Sequence, residues 1–290
     1  MDYLAKDNKI IFKNKNFNPK HIFECGQAFR WEKNEDNSYT NIAFGKIINV
    51  SSKDDTVTLK NVSEEDFINI WIDYFDLNRD YDEIKLKLSN NETMIKAMEF
   101  GYGIRILNQD YFETIISFII SANNQINRIK KSIEIISQQY GNVIGEYNGK
   151  TYYSFPTINE LAKANITDLR EICRVGFRDK RILETSNKIM NREFNLEDSK
   201  KYDSIKLYEE LLKLPGVGPK VASCIMLFAY GRSEIFPVDV WIKRVMEILY
   251  IGHETSKKNI GVFANEIFGE YAGFAQQYLF YYGRENKIGK

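Results

Sequence analysis

Cysteine and histidine are scarce in this 290-residue chain, with three of the first and two of the second. Cys25, Cys173 and Cys224 are scattered without a CxxC pair, and His21 and His253 lie far apart. Such spacing argues against zinc and iron–sulfur sites, and an odd thiol count fits a reducing compartment. Net charge is also missing, because Lys+Arg and Asp+Glu both total 40. A balanced chain has no bulk attraction to nucleic acid, yet local clusters and backbone N–H groups can hold phosphates without one. Two clusters, NRIKK (127–131) and RDKR (178–181), each read first as solvated helix faces when taken alone. The opening MDYLAKDNKI has no apolar signal core, and no run approaches the ~18 apolar residues of a spanning helix. The expectation is a soluble cytoplasmic protein with no membrane partner.

What is present describes an ordinary globular chain: 43% apolar and 14% aromatic residues, enough for two or three compact subdomains. The pattern favours strands up to about residue 62, in FRW (29–31), YTNIAFGKIINV (39–50) and TVTLKNV (56–62), separated by turn-forming polar segments. At SEED (63–66) the pattern changes, with Ser63 placed to cap a helix. Mostly helices follow. Residues 110–141 read as two helices with a polar break at SANNQ, TINELAKAN and TDLREIC each begin on a cap-like threonine, and one long helix is expected over 259–283. The predicted class is α+β: a small antiparallel β domain with following helices (1–100), then an α-helical body (101–290) containing a helix–hairpin–helix at about 205–230.

That hairpin is LPGVGPKVA, residues 214–222. Pro219 suits the first position of a new helix, and Gly216 and Gly218 permit positive φ and a close approach to the backbone. The N–H groups of Val217, its neighbours and the new helix start then form a concave donor site for an anion such as a DNA phosphate. The plainer alternative is a helix–helix connector. Lys220 stands in the first turn, where the helix dipole and an apolar flank both disfavour the ammonium form, and a neutral amine is what a nucleophile requires. A lysine snorkelling to solvent or touching phosphate is the bland alternative. Asp239, after FPV and before an apolar run, sits where a helix N-cap belongs, and a carboxylate held there also suits a developing positive charge on a sugar.

Together, LPGVGPKVA and FPVDVW resemble the helix–hairpin–helix DNA glycosylase superfamily, and the hairpin lysine is similar to its bifunctional branch. GQAFRW (26–31), SFIISANNQINRI (117–129), VGFRDKR (175–181) and GFAQQYLF (273–280) are similar, in the same order, to motifs of the 8-oxoguanine DNA glycosylase family, over about residues 20–285. The resemblance implies that 8-oxoguanine is flipped out of duplex DNA, excised by Lys220 through a Schiff base with Asp239 stabilising the sugar cation, and the strand nicked by β-elimination. It implies that Phe280 and Cys224 sandwich the flipped base, that Gln276 reads its Watson–Crick edge, and that the Gly26 carbonyl accepts the N7 hydrogen that guanine lacks. Asn123, Arg128, Phe177 and Arg178 match positions at the vacated stack and the orphaned cytosine. Phe177 stands where eukaryotic relatives carry tyrosine, and Trp241 where many carry a histidine that contacts phosphate. The resemblance implies a monomer that needs no cofactor and admits a structural Na+ or K+ at the hairpin carbonyls.

Other readings are weaker on the residues themselves. Monofunctional glycosylases of the superfamily generally lack the hairpin lysine, and a non-catalytic DNA-binding hairpin needs neither Asp239 nor an aromatic–amide pair on a late helix. A glycine-loop nucleotide site would need GxxxxGK[ST] or GxGxxG after a strand, and neither occurs.

Overall fold

The computed structural model describes residues 1–289. Six strands form one antiparallel sheet in the order β1-β2-β6-β5-β4-β3. The edge hairpin, β1 (Tyr3–Lys6) and β2 (Lys9–Lys13), turns at Asp7 and Asn8, with φ of 52° and 53°. Two residues at positive φ match the twist of paired strands. The expected strand runs omit this hairpin, although Asp-Asn between alternating residues marks it. After α1 (Pro19–Glu24), the expected FRW strand is irregular backbone instead. Its aromatics serve the core: Phe29 and Trp31 are buried, and Trp31 stacks on Phe23 with centroids 3.6 Å apart. The sheet resumes with β3 (Glu32–Lys33), β4 (Tyr39–Ala43), β5 (Lys46–Lys53) and β6 (Thr56–Lys60).

Ser63 caps the first helical segment as expected, its hydroxyl accepting from the Asp66 N–H at 3.0 Å. That segment comprises α2 (Glu64–Asp66), a π turn (Phe67–Trp71) and α3 (Ile72–Tyr74), and its aromatics close over Ile10, Ile48, Val50 and Leu59 of the sheet. The next helices, α4 (Tyr81–Leu88) and α5 (Glu92–Phe100), place Ile84, Leu88, Met94 and Ala97 in the helical core. Cys25 and Phe29 belong to that helical core and Leu107 to the sheet core, so the two cores interleave along the chain. Arg105, 1% exposed, bridges them by donating to the carbonyls of Phe75 and Asn16.

The helices α6 (Tyr111–Ser121) and α7 (Ile126–Tyr140) break at residues 122–125, where the polar segment was expected to end a helix. A second hairpin, β7 (Val143–Tyr147) and β8 (Lys150–Tyr153), was not expected. It turns on Asn148 and Gly149 at φ 50° and 75°, and Tyr152 packs on Ile42 and Ile47 of the main sheet. Thr157 opens α8 (Ile158–Ala162) with a complete capping box, whereas α9 (Ile166–Glu171) is capped by Asn165 rather than the expected Thr167. The remainder is α10 (Asp179–Met190), α11 (Leu196–Ser199), α12 (Ser204–Leu212), α13 (Pro219–Phe228), α14 (Val240–Met246), α15 (Lys257–Phe268) and α16 (Ala272–Glu285). The single helix expected over 259–283 is thus two, interrupted at Gly269, whose φ of 53° a helix cannot continue through. Among the described residues, no helix is long and apolar enough to cross a membrane.

Candidate active site

The turn between α12 and α13 treats its two glycines differently. Gly216 has φ 87°, and a Cβ there would meet Arg181 Cδ at 3.0 Å and Ile119 Cγ2 at 3.1 Å. Gly218 is extended, with φ −94° and ψ −179°, so positive φ is realised only at Gly216. Nothing lies within 4 Å of a Cβ on Gly218, which leaves space for a ligand at the start of α13. Val217 departs from expectation: its side chain is buried, and its N–H donates to the Leu214 carbonyl at 3.0 Å. That amide closes the turn and does not face outward. The donors available to an anion are instead the first-turn N–H groups of α13, which have no acceptor within the helix.

Lys220 follows Pro219 in that first turn and is half-buried. Its ammonium lies 5.3 Å from the Phe118 ring centroid, and its charge reaches the Cys224 thiol one turn on. Cys224 is buried, and burial pushes its thiol pKa up; the Lys220 charge pulls it down, and the Asp239 carboxylate pushes it up. The three groups therefore share one electrostatic neighbourhood. Asp239 caps α14 as predicted, with Oδ1 accepting from the Ile242 N–H at 2.7 Å. No ion pair joins Lys220 to Asp239 among the described residues, so the amine is not locked onto the carboxylate.

Gly26 and Phe280, distant in sequence, come together. Gly26 has φ 84°, and a Cβ there would lie 3.2 Å from Phe280 Cε1. No hydrogen bond among the described residues ends on the Gly26 carbonyl. The residues on either side of it are tied firmly. Gln27 donates to the carbonyls of Ile22 and Arg105 and accepts from the Leu107 N–H, and Gln277 donates to the Cys25 sulfur at 3.3 Å. Gln276 is 5% exposed, and its Oε1 is buried without a partner. A buried acceptor left unpaired costs about 1–3 kcal/mol, which a ligand donor would recover. Sequence reasoning missed Gln27, Gln277 and Arg284. A second glutamine beside Gln276 in an apolar helix was the available signal for Gln277.

On the other side of the hairpin, Asn123 is exposed at φ 51° in the break between α6 and α7, and Arg128 is exposed in the first turns of α7. Phe177 is 55% exposed on a 3-10 turn, with the guanidinium carbons of Arg178 and Arg181 at 4.3 and 5.1 Å from its ring centroid. Arg178 differs from expectation. It is buried, and its donors are committed to the carbonyls of Ala122, Asn123 and Val175. In this conformation it clamps the Asn123 turn to the Phe177 turn rather than offering its donors to a base. Trp241, half-buried beside Asp239, has the Arg244 guanidinium carbon 5.8 Å from its ring centroid.

A cavity of about 830 Å³ opens beside Lys220, lined also by Ile205, Tyr208, Phe236, Lys257 and Lys258. Gly26, Cys224, Gln276 and Phe280 do not line it. Among the described residues, no group of three or more His, Cys, Asp or Glu is placed to hold a metal ion.

The fold is thus a helix–hairpin–helix protein with an amine and a carboxylate gathered at the hairpin. Residues 9–115 match the N-terminal domain model of 8-oxoguanine DNA glycosylase, and residues 116–268 match the HhH-GPD superfamily of base excision DNA repair proteins. A probable N-glycosylase/DNA lyase of Methanothermobacter thermautotrophicus is 34% identical over 235 residues, covering 74% of each chain. The N-glycosylase/DNA lyase of Saccharomyces cerevisiae is 36% identical over 212 residues, covering 61% of this chain and 56% of the yeast protein. The crystal structure of Clostridium acetobutylicum 8-oxoguanine glycosylase/lyase, in complex with double-stranded DNA containing cytosine opposite 8-oxoguanine, superposes with a TM-score of 0.96 at 48% identity, covering 99% of both chains. The chain belongs to the HhH-GPD superfamily of base excision DNA repair proteins, in the branch that carries the 8-oxoguanine DNA glycosylase N-terminal domain.

Proposed function

We propose that Lys220 is the nucleophile of a bifunctional 8-oxoguanine DNA glycosylase/lyase, with Asp239 as its electrostatic partner. The observation that carries this is the meeting of Lys220, Cys224 and Asp239 at two adjoining helix starts. The flipped nucleotide enters with its base toward Gly26, Cys224, Gln276 and Phe280 and its phosphates toward the first turn of α13. The Nζ lone pair forms a bond to C1′ as the C1′–N9 bond breaks, and the base leaves with that electron pair and takes up a proton. The ring opens to a Schiff base, a C2′ proton is lost, and the 3′ phosphate departs by β-elimination. The Asp239 carboxylate, fixed by its capping bond, faces the positive charge that develops on the sugar. Guanine presents a lone pair where 8-oxoguanine presents N7–H, so the unpaired Gly26 carbonyl repels one and accepts from the other.

The DNA-binding surface continues through Asn123, Arg128 and the exposed ring of Phe177, which is shaped to wedge into the vacated stack. Arg128 carries the preference for cytosine, and Arg178 joins it only if its carbonyl bonds open. The protein acts as a monomer, and three buried, unpaired cysteines suit a cytoplasmic setting. No step is assigned to a metal; a Na+ or K+ at the hairpin would compete with Val217 and Thr185 for the carbonyls of Leu214 and Pro215.

Single-turnover assays on a duplex with 8-oxoguanine opposite cytosine test this reading. The expected result is free 8-oxoguanine and a nicked strand from the unaltered chain, and neither from Lys220→Gln. Base release without nicking would make the chain monofunctional. Binding without either would make it a DNA-binding module.

A further inference from the structure

Arg284 stands one helical turn beyond Phe280 on α16, so Gln276, Phe280 and Arg284 recur at four-residue spacing on one face. With Gln277, which donates to the Cys25 sulfur, it crosses from this last helix to the Gly26 loop. Its Nη2 donates to the Glu24 carbonyl at 2.6 Å, and its Nη1 lies 3.8 Å from where a Gly26 Cβ would stand. Its guanidinium carbon is 5.5 Å from the Phe280 ring centroid, and its Nε is paired with Glu285 at 2.9 Å. Glu24 is held in turn by Tyr39 of the sheet, whose hydroxyl donates to Oε1 at 2.5 Å. One guanidinium therefore links the carbonyl two residues before Gly26, the ring that faces Gly26, and through Glu24 a strand of the sheet.

From this geometry we propose that Arg284 is a positioning residue for base selection, fixing the spacing between the Gly26 carbonyl and the Phe280 ring. The inference rests on the functional reading above. A flipped base must fit against the ring while presenting N7–H to the carbonyl, so both must be placed together to a fraction of an ångström. Gln27 and Gln277 hold the residues on either side of Gly26, and Arg284 adds a link that reaches the Phe280 ring as well. Lys220 and Asp239 sit on other helices and do not touch Arg284, so sugar chemistry is expected to proceed without it.

The test compares Arg284→Met and Arg284→Lys with the unaltered chain on two substrates: an 8-oxoguanine·cytosine duplex, and a duplex with a preformed abasic site. Binding to the matched guanine·cytosine duplex is measured alongside. For Arg284→Met, saturating single-turnover excision should fall about 10- to 100-fold, as misplacement of a reacting group does, while nicking of the abasic duplex changes less than about twofold. The preference for binding 8-oxoguanine over guanine should shrink, and Arg284→Lys should recover part of both, because an ammonium can still donate to the Glu24 carbonyl. Unchanged excision and selectivity in Arg284→Met would overturn the role. Equal slowing of excision and nicking would overturn it too, by showing a general structural defect. If the unaltered chain releases no 8-oxoguanine, the functional reading fails and this role with it, an outcome recognised without the variants.

Discussion

Asp239 combines two tasks that one substitution separates. Asparagine caps a helix about as well as aspartate, so Asp239→Asn should keep the bond to the Ile242 N–H and hold stability within about 0.5 kcal/mol. It removes the charge proposed to face the sugar cation, which should slow excision by about 10²- to 10³-fold. Urea unfolding and single-turnover excision measure the two separately, and unaltered excision would reduce Asp239 to a cap. The placement of Lys220 and Asp239 at helix starts could be read from sequence because local signals fix it: a proline at the first helical position before Lys220, and an acid at the head of an apolar helix. Arg178 and Arg284 could not be read that way. Their roles depend on backbone carbonyls brought close by the fold, in the case of Arg284 from a residue 260 positions away.

The hairpin makes a matched pair of predictions from its glycines. Gly216→Ala forces a side chain to φ 87° against Arg181 and Ile119, and should cost about 1–3 kcal/mol in urea unfolding. Gly218→Ala meets nothing and keeps an ordinary φ, so stability should hold while affinity for abasic duplex falls, because the methyl would stand in the proposed path of a phosphate. A reversed pattern would mean that the hairpin is only a connector. The motif marked the presence of this turn, but which glycine bends, and that the Val217 amide points inward, are set by the packing of α6 and α10 against it. The missed hairpins show a different limit. Asp7–Asn8 and Asn148–Gly149 are strong turn signals, but the flanking strands are short, so alternation over four or five residues carries little weight until a partner strand pairs with it.

A pH dependence follows from α1. Burial, with Lys20 and Lys85 nearby, lowers the His21 pKa to about 4, and Nδ1 accepts from the Gly103 N–H. Its ordinary value is 6.5, so the unfolded chain takes up a proton first as pH falls, and stability is lost between about 6.5 and 4. Thermal unfolding across that window should show a smaller loss in His21→Asn, which keeps an acceptor and does not titrate. An identical loss would place the titration elsewhere.

Across the whole molecule, the site is assembled from segments that sequence order keeps apart. Gly26 follows the first helix, Lys220 and Asp239 open two helices of the body, and Gln276 and Phe280 lie on the last helix, which is buried from Ala272 to Leu279. For a chain of zero net charge the proposed route to DNA is local rather than bulk attraction, with the hairpin start, Arg128 and the Phe177 turn as footholds. Three lysines line the cavity beside the hairpin, Lys220, Lys257 and Lys258, and of these Lys220 is the one on the helix that carries Cys224. Lys220 is therefore the amine proposed to bond to the sugar. Borohydride reduction during turnover on the 8-oxoguanine·cytosine duplex, followed by proteolysis and mass spectrometry of the trapped complex, locates that bond. The predicted result is a reduced sugar adduct on Lys220 alone; an adduct on Lys257 or Lys258, or released 8-oxoguanine with no adduct, would contradict it.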